Sequence, residues 1–220
     1  MELLATVLPA LLKGATVTLQ VTVQSSILAL IISLVVGLLR EIKHPFVRVP
    51  TVAYVEFFRG TSAFVQIYWI YFALPLLGIR LSAMEAGTIV LALNVGAYGS
   101  EIFRGALRSV SQGQREACLA LGLPISTTYA RVLLPQAMLR VIVPFSNLLI
   151  DLLKGTSLLS AITVTELAFA GRQSVAALGH PMAIFGAVLI LYLLLAAPIS
   201  WGATQLDNRI RRRLAVGMAL

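Results

Sequence analysis

The chain is 220 residues long, 59% of them hydrophobic and only 12% charged, with a mean hydropathy of +0.92. Soluble domains run roughly 45–50% apolar and about 25% charged, so this composition excludes a water-soluble fold and calls for a bilayer, whose core asks for about 20 apolar residues per helix. The net charge of +8 does not indicate nucleic acid, because the bases stand at the ends of apolar runs, where positive charge holds loops on the cytoplasmic side. The single cysteine, Cys118, excludes an internal disulfide and a cysteine-only metal site. His44 and His180 have no partner at metal-ligand spacing.

Residues 1–13, with Pro9 inside and Lys13 at the end, are expected to lie at the membrane surface. No basic stretch precedes the first long apolar run, and that run is too long for a signal core, so the first span is expected to stay in the mature protein. It is expected at residues 14–39. Its opening, Thr16 to Gln24, alternates polar and apolar with period two, a pattern that normally means a strand. A lone strand in lipid leaves its backbone groups unpaired. The stretch therefore reads as helix, with its polar side chains toward protein or a water-filled path.

Pro45 closes the turn that follows. A second span is expected at 61–77, a tight loop at 78–82 and a third span at 84–103. Residues 104–131 are too polar to cross. The fourth apolar run, 139–153, carries Pro144 and Asn147 and is broken by Lys154-Gly155-Thr156-Ser157; the last span is expected at 182–201. A basic tail, 206–220, holds Arg209, Arg211, Arg212 and Arg213. The run 158–170 has 13 residues, short of a crossing. With five spans and the N-terminus outside, 13 of the 17 basic residues face inward, whereas a sixth span would put the arginine-rich tail outside. Two readings of 158–170 stand: half of a helix broken near the midplane, where transporters place substrate sites, or a re-entrant or surface loop.

The polar loop at 114–135 carries the most information. Gln114 to Leu121 reads as a short helix, stopped by Gly122 in the left-handed conformation with Leu123 beyond it. Ser126 is expected to cap a second short helix, which Pro135 stops. The pair would project from the inner face, with Leu119, Leu121, Val132 and Leu133 as its apolar stripe and Arg115, Glu116 and Arg131 at the edges. An apolar helical knob in water needs a partner groove.

Glu116-Ala117-Cys118, then Gly122, then Val132-Leu133-Leu134-Pro135 resembles the EAA loop of bacterial binding-protein-dependent ABC importers, with Cys118 where that family usually has Ala. Phe58-Arg59-Gly60-Thr61, Ala97-Tyr98-Gly99-Ser100-Glu101, Leu134-Pro135-Gln136-Ala137 and Leu153-Lys154-Gly155-Thr156-Ser157 are similar to the polar amino-acid uptake branch of those permeases, over residues 14–205. Ser62 and Gly155 depart from the pattern, where Pro and Asp are usual. The resemblance implies an all-α membrane protein, the type I transmembrane domain of an ABC importer, with about five transmembrane helices and a cytoplasmic coupling-helix loop. It implies a multi-pass protein of the bacterial inner membrane, N-terminus outside and C-terminus inside. Its partners would be an ATP-binding subunit, a second permease chain (identical or homologous), an extracytoplasmic solute-binding protein and the bilayer. The cargo would be a polar amino acid or an amino-acid-like compatible solute, moved by alternating access.

The sequence holds no Gly-x-x-x-x-Gly-Lys-Ser/Thr to cradle nucleotide phosphates. No cofactor is expected in this chain, ATP-Mg belongs to the partner ATPase, and the chain is expected to be a transport subunit rather than an enzyme. Arg115, Glu116, Ala117, Gly122 and Arg131 are the expected coupling residues. Polar groups at membrane depth are expensive and functional by default, which makes Gln66, Asn94, Glu101, Asn147, Asp151 and Lys154 candidates for the cargo path. Asp151 with Lys154, and Glu101 with Arg104, are also spaced to neutralise each other as ion pairs. A passive channel, which needs rings of pore-lining polar groups, gives no reason for the knob. A Ser157–Lys154 pair would suggest an intramembrane hydrolase, on weak spacing.

Overall fold

Helix dominates because a chain in lipid must satisfy its backbone groups internally, and every regular element among the described residues is helical. The computed structural model describes residues 2–217, with the side chains at 2, 4, 5 and 211–217 outside the description. Among the described residues, four helices are long and apolar enough to cross a membrane, over Thr6–Leu39, Ala83–Arg108, Ile125–Ile162 and Pro181–Ile210. The bent pair Pro45–Gly60 and Ala63–Leu77, folded through 105°, makes a fifth when counted as one crossing.

Helices α1 (Glu2–Leu39) and α4 (Ala83–Arg108) form the centre and run in the same direction. Ser25 Oγ donates to Thr88 O (3.1 Å) and Ser33 Oγ to Gly96 O (3.2 Å), both at an offset of 63 residues. Small residues permit this approach: a Cβ on Gly99 would enter the Ser33 side chain, and one on Gly37 would meet Phe103 Cβ at 2.9 Å. Parallel neighbours need a long return connection. Helices α2 (Pro45–Gly60) and α3 (Ala63–Tyr68) provide it, α3 continuing as a π turn, Trp69–Ala73, and a 3₁₀ turn, Leu74–Leu77. Helix α4 then opens on a reciprocal cap, in which Ser82 Oγ accepts from Glu85 N (3.2 Å) and Glu85 Oε2 from Ser82 N (2.8 Å).

Beyond α4 come α5 (Gln112–Ala120), the single turn α6 (Ile125–Thr127), a π turn (Thr128–Leu133) and α7 (Leu134–Gly155). A 3₁₀ stretch (Thr156–Ile162), α8 (Leu167–Leu178) and α9 (Pro181–Gly217) complete the order. One apolar cluster, including Phe103, Leu107, Leu133, Val141 and Phe145, fills the α5 end of the bundle. Another, including Val7, Leu11, Leu167, Ile184 and Val188, fills the opposite end.

Several elements differ from expectation. Residues 2–13 are the opening turns of α1, unbroken into the span, because Val7 and Leu11 bury themselves against α8 and α9. The period-two stretch is helical, as expected; its Thr18 and Thr22 are buried in protein, while Thr16, Gln20 and Gln24 are exposed. Ser126 caps nothing: Pro124 holds the N-cap position, with no side-chain cap hydrogen bond. Pro135 does not stop the second knob helix either. It sits in the first turn of α7, where its missing N–H costs least, and the π turn just before it keeps the helical path continuous. The run 158–170 packs into the bundle, with Leu159, Ile162 and Leu167 fully buried. The tail continues α9 as far as Gly217, and the side chains of Arg211, Arg212 and Arg213 lie outside the described ones.

Candidate functional site

A helix leaves its last four carbonyls without internal partners, and lipid offers no water to supply them. Helix α2 meets this demand with side chains. Thr61 Oγ1 donates to Phe57 O (2.6 Å), and Phe58 O accepts from Asn94 Nδ2 (3.0 Å) and Gln66 Nε2 (3.2 Å). Tyr98 Oη donates to Arg59 O (3.4 Å). Gln66 Nε2 also reaches Thr61 Oγ1 (2.7 Å), and Asn94 Nδ2 reaches Gln66 Oε1 (3.2 Å). Two expected cargo-path residues, Gln66 and Asn94, therefore commit their amides to closing the α2–α3 break onto α4.

Glu101 lies next along α4 among three guanidinium groups. Arg40 donates to Oε1, Arg104 Nη2 lies 2.7 Å from Oε2, and Arg59 Nη1 is 3.8 Å from Oε1. The expected Glu101–Arg104 pair is thus half of a larger cluster joining α1, α2 and α4. Arg59 also stacks over the Tyr98 ring at 5.4 Å, the cation facing the ring's negative face. Arg59 and Arg40 were absent from the sequence-based candidates, although Arg59 stands inside one of the motifs that carried the resemblance.

Asn147, Asp151 and Lys154 follow at spacings of four and three, which places them on one face of α7. That face is open: all three are exposed, and Lys154 Nζ lies 3.3 Å from Asp151 Oδ1. So the six candidates separate into two groups, one knitting the α2–α4 wall and one forming an exposed polar stripe. Lys154 pairs with Asp151, and no Ser157–Lys154 hydrogen bond occurs among the described residues, so no nucleophile–base pair is formed there.

The knob is built as the glycine implied. Gly122 adopts φ +64°; its N–H bonds Leu119 O and the Leu123 N–H bonds Cys118 O, both at 3.0 Å, which is the Schellman closure. Cys118 turns inward, and Leu119, Leu121 and Ile125 are 72%, 75% and 75% exposed. Leu133, expected on the outer stripe, is buried in the core instead, because the second knob segment is the root of α7. Glu116, Ala117 and Arg131 are exposed. Arg115 points inward: Nη2 donates to Leu107 O (2.9 Å) and the guanidinium lies 6.0 Å from the Tyr129 ring, so it braces the knob against α4.

One polar node escaped sequence reasoning. Glu166 is fully buried and caps α8, accepting from Ala168 N (2.8 Å), Phe169 N (2.7 Å) and Tyr192 Oη (2.9 Å). Thr18 Oγ1 accepts from Leu167 N beside it (3.1 Å). The signal was weak: acidic residues gather around helix starts, but Glu is not among the usual N-cap residues. Among the described residues no group of three or more His, Cys, Asp or Glu side chains could hold a metal ion.

A bundle of membrane-crossing helices with an exposed apolar knob at one end defines the membrane component of a transport system. Residues 29–212 match the family described as binding-protein-dependent transport system inner membrane component, and the chain belongs to it. It is 40% identical over 206 residues to the probable amino-acid ABC transporter permease protein y4tF of Sinorhizobium fredii (strain NBRC 101917 / NGR234), covering 91% of this chain and 87% of that one. It is 35% identical over 206 residues to the glutamine transport system permease protein GlnP of Escherichia coli (strain K12), covering 93% and 94%. Its fold matches the crystal structure of an amino acid ABC transporter with histidines, with a TM-score of 0.87, 24% identity and coverage of 94% and 96%.

Proposed function

We propose that this chain is one of two permease chains, identical or homologous, in an ATP-driven importer of a polar amino acid or an amino-acid-like zwitterion. The exposed knob of α5, Gly122 and Ile125 is the observation that carries this reading. Leu119, Leu121 and Ile125 give it an apolar surface of its own, at the end of the bundle where Arg40, Lys43, Arg48, Arg104 and Arg108 collect. That charge supports placing the end in the cytoplasm, with the N-terminus outside and the C-terminus inside. An ATP-binding subunit, which holds ATP-Mg, docks on Leu119, Leu121 and the exposed Glu116 and Arg131, and Arg115 passes its movement into α4. A solute-binding protein delivers cargo at the opposite end. The names of the relatives support the amino-acid class. A passive channel, the competing reading, has no support from the family.

The cargo path runs along Asn147, Asp151 and Lys154, because an exposed polar stripe needs water or protein opposite it. Gln66, Asn94 and Glu101 shape the adjoining wall. Replacing Leu119 and Leu121 together with Asp tests the knob, since both are exposed and the fold has no need of them. The expected result is loss of co-purifying ATP-binding subunit and of ATP-dependent uptake, with the permease still folded. Unchanged assembly and uptake would overturn the reading.

A further inference from the structure

Five basic side chains converge at the knob end, where α1 and α4 end and α2 begins. Arg40, Lys43, Arg48, Arg104 and Arg108, with Glu41, line a cavity of about 290 Å³. Two carboxylates are engaged there. Glu41 pairs with Arg108 at 3.0 Å, and Glu101 holds Arg40 and Arg104. Lys43 and Arg48 have no ion pair among the described residues, and both are exposed. Five positive charges against two negative ones leave the cradle three charges in excess.

Directly beside it lies an apolar groove of about 500 Å³ that shares Lys43 and Arg48 and continues over Val49, Val52 and Ala53. The first turns of α2 present an apolar face here: Phe46 and Val49 are 86% and 66% exposed, at helical spacing, and the face runs as far as the exposed Glu56. A cavity that is cationic at one end and apolar along the adjoining helix matches an amphiphile, with a negative head and a hydrocarbon tail. A soluble anion would leave the groove uncovered. A protein segment is disfavoured by depth, because α2 belongs to the bent pair that counts as a crossing.

We propose that this cradle binds an anionic glycerophospholipid of the inner leaflet, its phosphate held by Lys43, Arg48, Arg104 and Arg108 and one acyl chain lying along Val49, Val52 and Ala53. The leaflet rests on the topology proposed above; the chemistry does not. Basic pockets between membrane helices take such headgroups, and each Lys or Arg near an anionic surface contributes about 1 kcal/mol. Because Arg104, Arg40 and Arg59 also surround Glu101, the bound phosphate completes a charge lattice that ties the break between α2 and α3 to the root of the knob.

The test is lipid retention by the purified full-length chain in neutral detergent, measured by native mass spectrometry after equilibration with equimolar phosphatidylglycerol and phosphatidylcholine. The wild type is expected to retain phosphatidylglycerol. The K43Q/R48Q variant should lower that preference by about thirty-fold, the equivalent of two charges at about 1 kcal/mol each. A K13Q/R80Q variant, which loses the same two positive charges at the opposite end, should match the wild type and serves as the control for lost charge. Inorganic phosphate at millimolar concentration should not displace the lipid. Equal retention of the two lipids, an unchanged K43Q/R48Q variant or displacement by phosphate would each overturn the proposal, the last by assigning the cradle to a soluble anion. Retention is read without transport and without reference to sidedness, so failure here leaves the importer reading intact, and failure of the knob test leaves this one intact.

Discussion

Replacing Asn94 with Leu should strike the closure of the α2–α3 break. The change removes the donor that serves Phe58 O at 3.0 Å and Gln66 Oε1 at 3.2 Å. Phe58 O keeps only the longer bond from Gln66 Nε2, at 3.2 Å, while Gln66, 6% exposed, is left with an acceptor that water cannot reach. An orphaned buried polar group costs about 1–3 kcal/mol, and interhelical hydrogen bonds within membranes average nearer 0.6 kcal/mol, so about 2 kcal/mol is expected for the pair of losses. For a chain of this length that corresponds to a fall of about 4–8 °C in Tm, readable by thermal unfolding of the purified protein in detergent. The double variant N94L/Q66L should cost less than the sum of the two single changes, because Gln66 Oε1 is then no longer present to be orphaned. If the two effects add to within about 0.3 kcal/mol, the two amides act independently and the closure described here is wrong.

Asp151→Asn with Lys154→Gln should leave Tm within about 2 °C of wild type, since exposed i,i+3 pairs contribute little; uptake in vesicles holding the full transporter should fall by about tenfold or more if the stripe meets cargo. Gly122→Ala should cost about 1–2 kcal/mol from its left-handed conformation alone, because nothing stands within 4 Å of the added Cβ. The loss is confined to the knob and should show as faster labelling of the buried Cys118 by a thiol reagent. Glu166→Leu should cost about 3 kcal/mol or more, leaving two N–H groups and the Tyr192 hydroxyl without their acceptor; it is checked by the same thermal scan.

What sequence showed and what it hid follow a physical division. Apolar length announces a crossing, and Gly122 announces a left-handed stop, because each depends on residues close together in the chain. The bend between α2 and α3 is different. Phe58-Arg59-Gly60-Thr61 supplies no proline, and the carbonyls exposed there are met by Asn94 and Tyr98 from a helix more than 30 residues further along. Nothing local records that arrangement. Pro135 misled for a related reason: a proline stops a helix only if no preceding turn can widen, and here Thr128–Leu133 does. Glu166 was passed over because a charge beside a short apolar run looks like a loop residue, whereas its partners, Tyr192 and the two amides, draw it fully inside.

The pairing of α1 with α4 also sets a schedule for biogenesis. Ser25 and Ser33 enter the membrane long before their acceptors exist, since Thr88 and Gly96 follow 63 residues later. At about 5–20 residues per second of synthesis, the first helix waits about 3–13 s with the groove around Gly37 uncovered. Its small, hydroxyl-bearing flank therefore stays without its final partner until the fourth helix is made.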